Sequence, residues 1–530
     1  MIRIEYLKLR HHPQLGDIEL FFSPPSESKK SERPYTSIII GPNGTGKSFI
    51  LRTIAEILRQ FNSFLLADKR DFSLPYGIHL RYQMDNNIYE IVSSNYLIFG
   101  KNGTRRNFIY LKNRPFDFEL LSEISSYNQI TRYEILPKDL EFPNKLLVNS
   151  LMLTDRFVFQ ESKSNDFYQY LGVRSSSGSS STRASSRRTI RHLFSATDFI
   201  VDFNKNLKEL LFFLEFEPSL EINYSTKINK LFFSGNLTIA DFKKYFEYWW
   251  DENFKYSSRK QENPLWSIPY YNRNFKENPS KVISIVDYLN KLTISGRLIH
   301  KKNASSKLLS IDLLDVNLSK DEMGLINELE NLDILNLDGI KLKKKDSKLS
   351  IADLSSGEYH LIISLIGIFS NITENSVVLI DEPEISLHPN WQMRYITFLK
   401  KVFSKFPSCH FIITTHSHFL VSDLEGESSS ITALSRNANN DQLKAELLEN
   451  NTFGWSAEEV LYSVFGVKST RNFFIEYDLV KLVSLLNRNS DDYVEIRRIV
   501  NKLYQLPLSE NDPLKIIIEK SNKYLKLNNA

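Results

Sequence analysis

Cysteine is almost missing from this chain. Its 530 residues contain one, Cys409, which excludes an internal disulfide framework and fits a reducing compartment such as the cytoplasm. A small buried residue is the plain role for it. Long hydrophobic runs are also lacking. The most apolar stretch, "LIISLIGIF" (Leu361–Phe369), falls well short of the roughly 20 residues that span a bilayer, so no membrane association is expected. The N-terminal "MIRIEYLKLRHHPQLGDIELFF" alternates apolar and polar residues, a strand pattern and not the continuous apolar region of a signal peptide. Charge of one sign is scarce too. Lys and Arg number 67 against 63 Asp and Glu, leaving a formal net charge of +4, so any basic surface must be local. No His and Cys residues stand at zinc-ligand spacing. No internal repeat is evident, and no heptad run is long enough for a coiled-coil arm.

With 42% hydrophobic and 25% charged residues, the chain can bury at least one large core, in about two to four domains. "YTSIII" (Tyr35–Ile40) reads as a buried strand, and "SFILRTIAEILRQF" after it as a helix. "GIHLRYQMDNNIYEIVSS" predicts a hairpin turning near Asn86-Asn87, and "KLLVNSLML" a further strand. An arginine-serine segment follows, with Arg174, Arg183, Arg187, Arg188 and Arg191 and no acid between Asp166 and Asp198. It could track the phosphates of DNA or RNA, or remain a disordered, solvated loop. Residues of about 196–330 read as mostly helical and aromatic-rich. Phe242, Tyr245, Phe246 and Trp249 stand there at helical spacing as core. From about 331 the pattern returns to strand, helix, strand, and the tail from about 451 is helical.

Four motifs carry chemistry. "GPNGTGKS" (Gly41, Pro42, Asn43, Gly44, Thr45, Gly46, Lys47, Ser48) is a phosphate loop, set between a buried strand and a helix. Its backbone N–H groups curl around phosphates, Lys47 reaches the β and γ oxygens, and Ser48 binds Mg²⁺. "SVVLIDEPE" puts Asp381 and Glu382 at the end of an apolar run. Acids are expected there only where a buried strand emerges at the ligand-binding edge of a sheet. Asp381 is then the Mg²⁺ carboxylate and Glu382 the general base or water-positioning group. "CHFIITTHS" ends a neighbouring strand with His416, placed to bond a γ-phosphate and the attacking water. In "DLSSGEYHLI", Ser355, Ser356, Gly357 and Glu358 open a helix whose hydroxyl, free N–H groups and dipole all suit an anion. His360, His388 and His418 read as structural.

Phosphate loop, Leu-Ser-Ser-Gly-Glu, hydrophobic-Asp-Glu and Thr-His, in that order, resemble the ATP-binding-cassette (ABC-type) ATPase heads of the SMC and RecF group. The resemblance implies an α/β fold: a phosphate-loop mixed sheet with helices plus an antiparallel β subdomain. That head would be discontinuous, with lobes at residues 1–195 and 331–450, a helical insertion at 196–330 and a helical C-terminal partner-docking unit at 451–530. It further implies ATP and Mg²⁺ as cofactors and a head-to-head dimer or higher oligomer. Ser355 and Gly357 would then act in trans, on a nucleotide held by the other copy's Lys47. For the family's glutamine loop, Gln160 is the one candidate. "PEISLHPNWQ" after Glu382 departs from the transporter version of the family and is similar to defence and repair ATPases.

"TDRFVF", "FYQYLGVRSSS" and "FGWSAEEVLYSVFGVKSTRN" resemble the PtuA-type ATPase subunit of Septu antiphage systems. That family works with an HNH endonuclease subunit, or beside a retron reverse transcriptase and its multicopy DNA. No Asp-x-Asp follows His416, so the metal nuclease site of overcoming-lysogenisation nucleases is not expected, and cutting would fall to a partner. The expected function is an ATPase that scaffolds and gates that nuclease, with phage or host nucleic acid as a further partner. A RecF-like DNA repair ATPase and an ATP-sensing scaffold with little turnover are the alternatives.

Overall fold

A seven-stranded mixed sheet carries the glycine-rich loop. The computed structural model describes residues 1–24, 32–67, 74–93, 108–113, 139–152, 154–159, 166–174, 186–190, 192–193, 203–226, 230–246, 267–300, 307–315, 319–345, 347–422, 424–437, 441–448, 452–467, 472–508 and 512–527. Two units divide the chain, Met1–Trp455 and Ser456–Ala530.

The first unit begins with β1 (Ile2–His12), β2 (Gly16–Phe21), β3 (Tyr35–Ile40) and helix α1 (Lys47–Ala67). Next come β4 (Gly77–Met84), β5 (Asn87–Ser93), β6 (Phe108–Lys112), β7 (Lys145–Ser150) and β8 (Tyr168–Tyr170). A middle stretch follows with α2 (Phe203–Phe213), β9 (Leu220–Thr226), α3 (Pro279–Ile294), β10 (Leu298–His300), β11 (Lys307–Asp312) and α4 (Lys320–Asn331). The unit closes with β12 (Leu335–Lys344), β13 (Ser347–Ser350), α5 (Ser356–Phe369), β14 (Ser376–Asp381), α6 (Pro389–Val402), β15 (His410–Thr414), β16 (Ser429–Arg436) and β17 (Leu443–Leu448).

The main sheet has the order β17-β16-β3-β15-β14-β7-β8, parallel except for edge strand β17. Every residue of β3, β7, β14 and β15 is buried, as expected of parallel strands covered on both sheet faces. Parallel register sets Asp381 opposite both Thr414 and Ser150. The second sheet, β2-β1-β4-β5-β6, is antiparallel. One apolar cluster joins Leu7 and Leu80 of that sheet, Ile50, Ile54 and Leu58 of α1, and Val377 and Leu379 of β14. α1 therefore fixes the loop that precedes it against both sheets. The predicted β4–β5 hairpin forms, with Asp85 in the left-handed region at φ 51°, where Asp and Asn are tolerated.

The stretch expected to be a helical insertion is mixed. It contributes β9, β10 and β11 to a third, antiparallel sheet, β10-β11-β9-β12-β13. β9 spans seven residues and pairs with β12, far away in sequence, so its local pattern was outweighed by flanking helices. Phe242 and Phe246 are buried with Phe232 and Tyr271, as expected of core aromatics. Tyr245 is half-buried edge-on to Phe232, and Trp249 lies outside the described residues.

In the second unit, α7 (Ala457–Ser463), α8 (Phe473–Asn487), α9 (Tyr493–Tyr504) and α10 (Leu514–Leu527) form the expected helical tail. Leu482, Ile496, Ile499, Leu503, Leu514 and Ile518 make its core. Ser456 caps α7 by accepting from Glu459 N at 3.1 Å. Among the described residues, no helix is long and apolar enough to cross a membrane.

Candidate functional site

The loop after β3 needs its glycines. At Gly41 a Cβ would lie 2.8 Å from the Leu434 carbonyl oxygen, and at Gly46 (φ 82°) one would lie 2.7 Å from Leu15 Cδ2. Pro42, Asn43 and Gly44 at the tip are exposed. Thr45 is buried, and its hydroxyl donates to Pro42 O at 2.8 Å. Lys47 Nζ folds back to donate to Gly41 O at 2.8 Å and Pro42 O at 3.2 Å. Burial lowers its pKa, opposed by Glu382, Glu384 and Asp381.

The acids gather where expected. Asp381 is buried, and its Oδ1 accepts from Ser48 Oγ at 2.9 Å and from Thr414 Oγ1 at 2.6 Å. Burial pushes its pKa up, with a further rise from Glu382 and Asp155. A hydroxyl and a carboxylate alone are a sparse donor set. Among the described residues no His, Cys, Asp and Glu cluster could hold a metal by itself. Mg²⁺ takes few protein ligands and completes its shell with phosphate oxygens and water, so Ser48 and Asp381 fit it.

Glu382 sits at φ 48°, a left-handed backbone for a residue with a side chain, a strain that tends to occur at functional sites. Its Oε1 lies 3.4 Å from His416 Nε2, and His416 Nδ1 lies 3.4 Å from Lys47 Nζ. Burial raises the Glu382 pKa and lowers that of His416, the latter helped by Lys47. The residues predicted from the phosphate loop, the Asp-Glu pair and the Thr-His pair thus form one cluster.

Two residues missed in the sequence brace it. Glu384 Oε1 accepts from the His416 backbone N at 2.6 Å. Gln392 Oε1 accepts from Ser417 Oγ at 2.6 Å, while its Nε2 donates to Leu387 O at 2.9 Å. The loops after β14 and β15 are therefore laced together. The only sequence signal was a second glutamate two residues beyond Glu382.

The Ser355–Glu358 turn is an N-cap of α5. Ser355 Oγ accepts from Glu358 N at 3.3 Å, and Glu358 Oε2 accepts in return from Ser355 N at 3.2 Å. That reciprocal pair is a capping box. Lys344 Nζ lies 3.1 Å from Glu358 Oε1. Ser355 and Ser356 are exposed, and Gly357 is buried where a Cβ would strike the Ser386 carbonyl oxygen.

Three arginines of the basic segment are described. Arg174 pairs with buried Asp155 at 3.3 Å, and Arg187 lies 3.1 Å from buried Glu330. Arg188 donates to Gly172 O at 2.9 Å and Arg174 O at 3.2 Å. Each of these three guanidinium groups therefore has a partner within the chain. Arg183, Arg191 and Gln160 lie outside the described residues. His388 is structural as predicted, capping α6 through Nδ1.

A phosphate loop between a buried parallel strand and a helix, with Ser48 on an acid from the neighbouring sheet edge, defines a P-loop ATPase head. Residues 14–421 match the AAA ATPase domain family, and the chain belongs to it. It is 32% identical over 131 residues to the Retron Vc95 probable ATPase of Vibrio cholerae serotype O1 biovar El Tor, covering 22% of this chain and 24% of that protein. The Septu protein PtuA of Bacillus thuringiensis is 32% identical over 98 residues, 18% of this chain and 24% of its own length. The Retron Ec83 probable ATPase of Escherichia coli is 38% identical over 85 residues, 14% and 15% respectively. The chain thus matches a quarter or less of each of these relatives. Among solved structures it is similar to the SMC head domain from Thermotoga maritima, at 11% identity and TM-score 0.31 over 84% of this chain and all of that one. A Pyrococcus furiosus Smc head domain bound to the C-terminal domain of ScpA gives 13% identity and TM-score 0.32, over 84% and 96%.

Proposed function

We propose that the chain is the ATP-hydrolysing subunit of a bacterial antiphage complex, in which two heads clamp ATP and gate an HNH nuclease partner. The observation that carries this reading is the continuous cluster Ser48–Asp381, Glu382–His416–Lys47, together with an exposed, capped Ser355 turn. Lys47 and the loop N–H groups hold the β- and γ-phosphates. Ser48 and Asp381 hold Mg²⁺, which when bound would neutralise charge on those phosphates. Glu382 accepts the proton of the attacking water, and its raised pKa suits a base. His416, kept neutral by burial, bonds the γ-phosphate. Ser355, Ser356 and the Gly357 N–H serve the nucleotide of the second copy, while Glu358 keeps that turn in shape.

The names of the matched relatives support the defence setting, and the HNH partner is carried over from the Septu resemblance. Docking of that partner is assigned to the C-terminal unit, where α8 exposes Phe474, Tyr477 and Val480. Replacing Glu382 with Gln tests the enzyme: turnover should fall at least about 100-fold, the usual worth of a general base, with ATP retained. Unchanged protection against phage by that variant would favour an ATP-sensing scaffold. Purification from the native operon tests the partner. A co-eluting HNH protein supports the reading, and its absence favours a RecF-like repair role.

A further inference from the structure

The nucleotide cluster is short of positive charge. Asp381, Glu382 and Glu384 crowd it, Lys47 is its cation, and burial keeps His416 neutral. A triphosphate brings about four more negative charges, of which one Mg²⁺ offsets two. Among the described residues, one arginine contacts the loop and another the residue just after it. Arg436 donates to Gly44 O at 3.1 Å, but it is already held by Asp441 at 3.1 Å. Arg156 is the other.

Arg156 leaves the sheet on the correct side. β7 runs parallel to β14 with Ser150 opposite Asp381, so the chain after Ser150 emerges at the edge where Asp381 sits. Neighbouring Asp155 is buried and anchored three ways: by Tyr170 OH at 2.5 Å, Phe157 N at 3.1 Å and Arg174 at 3.3 Å. It stands close enough to Asp381 to raise that group's pKa. With Asp155 pinned inward, Arg156 is turned out. It is exposed, makes no ion pair among the described residues, and its guanidinium lies 6.0 Å above the ring of Phe49, the residue after Ser48. An arginine with no ion pair among the described residues, held over the ring of the residue that follows Ser48, can offer its planar fork to an anion with little loss of freedom.

Building on the nucleotide-site assignment, we infer that Arg156 is a second cation of that site and contacts the terminal phosphates of ATP bound by its own copy. Titrating the full chain with fluorescent ATP and ADP analogues in Mg²⁺ tests this. Arg156→Ala should weaken ATP binding about tenfold, the scale of one charge-assisted phosphate contact, with ADP affinity changed less than about twofold. Arg156→Lys should recover part of the loss, and the melting temperature without nucleotide should not move, since the side chain is exposed. Unchanged ATP affinity, or equal losses for ATP and ADP, overturns the assignment. Lys47→Ala separates the two readings. If Lys47→Ala abolishes ATP binding while Arg156→Ala is neutral, only the role of Arg156 falls. If wild type and Lys47→Ala bind ATP alike, the nucleotide site itself falls with it.

Discussion

Burial pushes the pKa of Asp381 up, because it favours the neutral acid. The Ser48 and Thr414 hydroxyls both donate to it and oppose that rise. Removing Thr414's donor should therefore weaken Mg²⁺ dependence more than folding. Thr414→Val should raise the Mg²⁺ concentration for half-maximal turnover several-fold, a shift that a metal titration reads. Glu384 acts one step removed. It holds the backbone N–H of His416, so Glu384→Ala should lower turnover with ATP affinity unchanged, and Glu384→Gln, which keeps an acceptor oxygen, should recover most of it. A Glu384→Ala/His416→Ala double variant should be no slower than His416→Ala alone. A further drop would mean that Glu384 acts elsewhere.

The pH profile follows at the same scale. Burial and the nearby Lys47 hold the His416 pKa below its ordinary 6.5, which favours the neutral ring. Glu382 has one above its ordinary 4.5 and must be ionised to act as base. Turnover should rise with pH on a single acid limb displaced upward from that of a free glutamate. His416→Gln should retain the limb. A limb that vanished in His416→Gln would reassign it to the histidine.

At the scale of elements, one histidine ties three strands. His410 of β15 is fully buried, its Nδ1 accepting from Ile4 N of β1 at 3.0 Å and its Nε2 lying 2.8 Å from Ser37 Oγ of β3. Burial, with Arg3 nearby, drops its pKa to about 3. Between that value and the unfolded value of 6.5 the unfolded chain binds the extra proton, so stability is lost as pH falls through this window. Melting temperature should fall from pH 6.5 toward 4, and less steeply in His410→Gln. An equal slope in the variant would show that carboxylates alone govern acid unfolding.

The same scale explains what could be read in advance. β3, β14 and β15 were legible because each is a continuous apolar run ending in chemistry: the glycine loop, Asp381-Glu382 and Thr415-His416. The third sheet was not, because β9 pairs with β11 and β12, both far along the chain. Glu384 was hidden for a similar reason. Its bond to His416 joins two loops, and only parallel pairing of β14 with β15 brings them together. Arg174 and Arg187 looked free in a segment without acids, yet Asp155 and Glu330 reach them from elsewhere in the chain, and Arg188 is held by backbone carbonyls.

For the whole molecule, the exposed Ser355 turn stands beside a loop that also braces His416. Gly357 packs on Ser386, and Glu384 in the same loop holds His416. A copy gripping its neighbour's nucleotide would thus press on its own hydrolytic cluster. Gly357→Ala should cut turnover strongly, measured against ATP affinity, which should stay intact because Lys47 is untouched.

Light scattering on the Glu382→Gln variant tests the two-copy clamp most directly. Its mass should double on adding Mg²⁺ and ATP, and a further Ser355→Arg substitution should abolish the doubling. Equal ATP-driven doubling with Ser355→Arg present, or none in Glu382→Gln itself, would contradict the clamp.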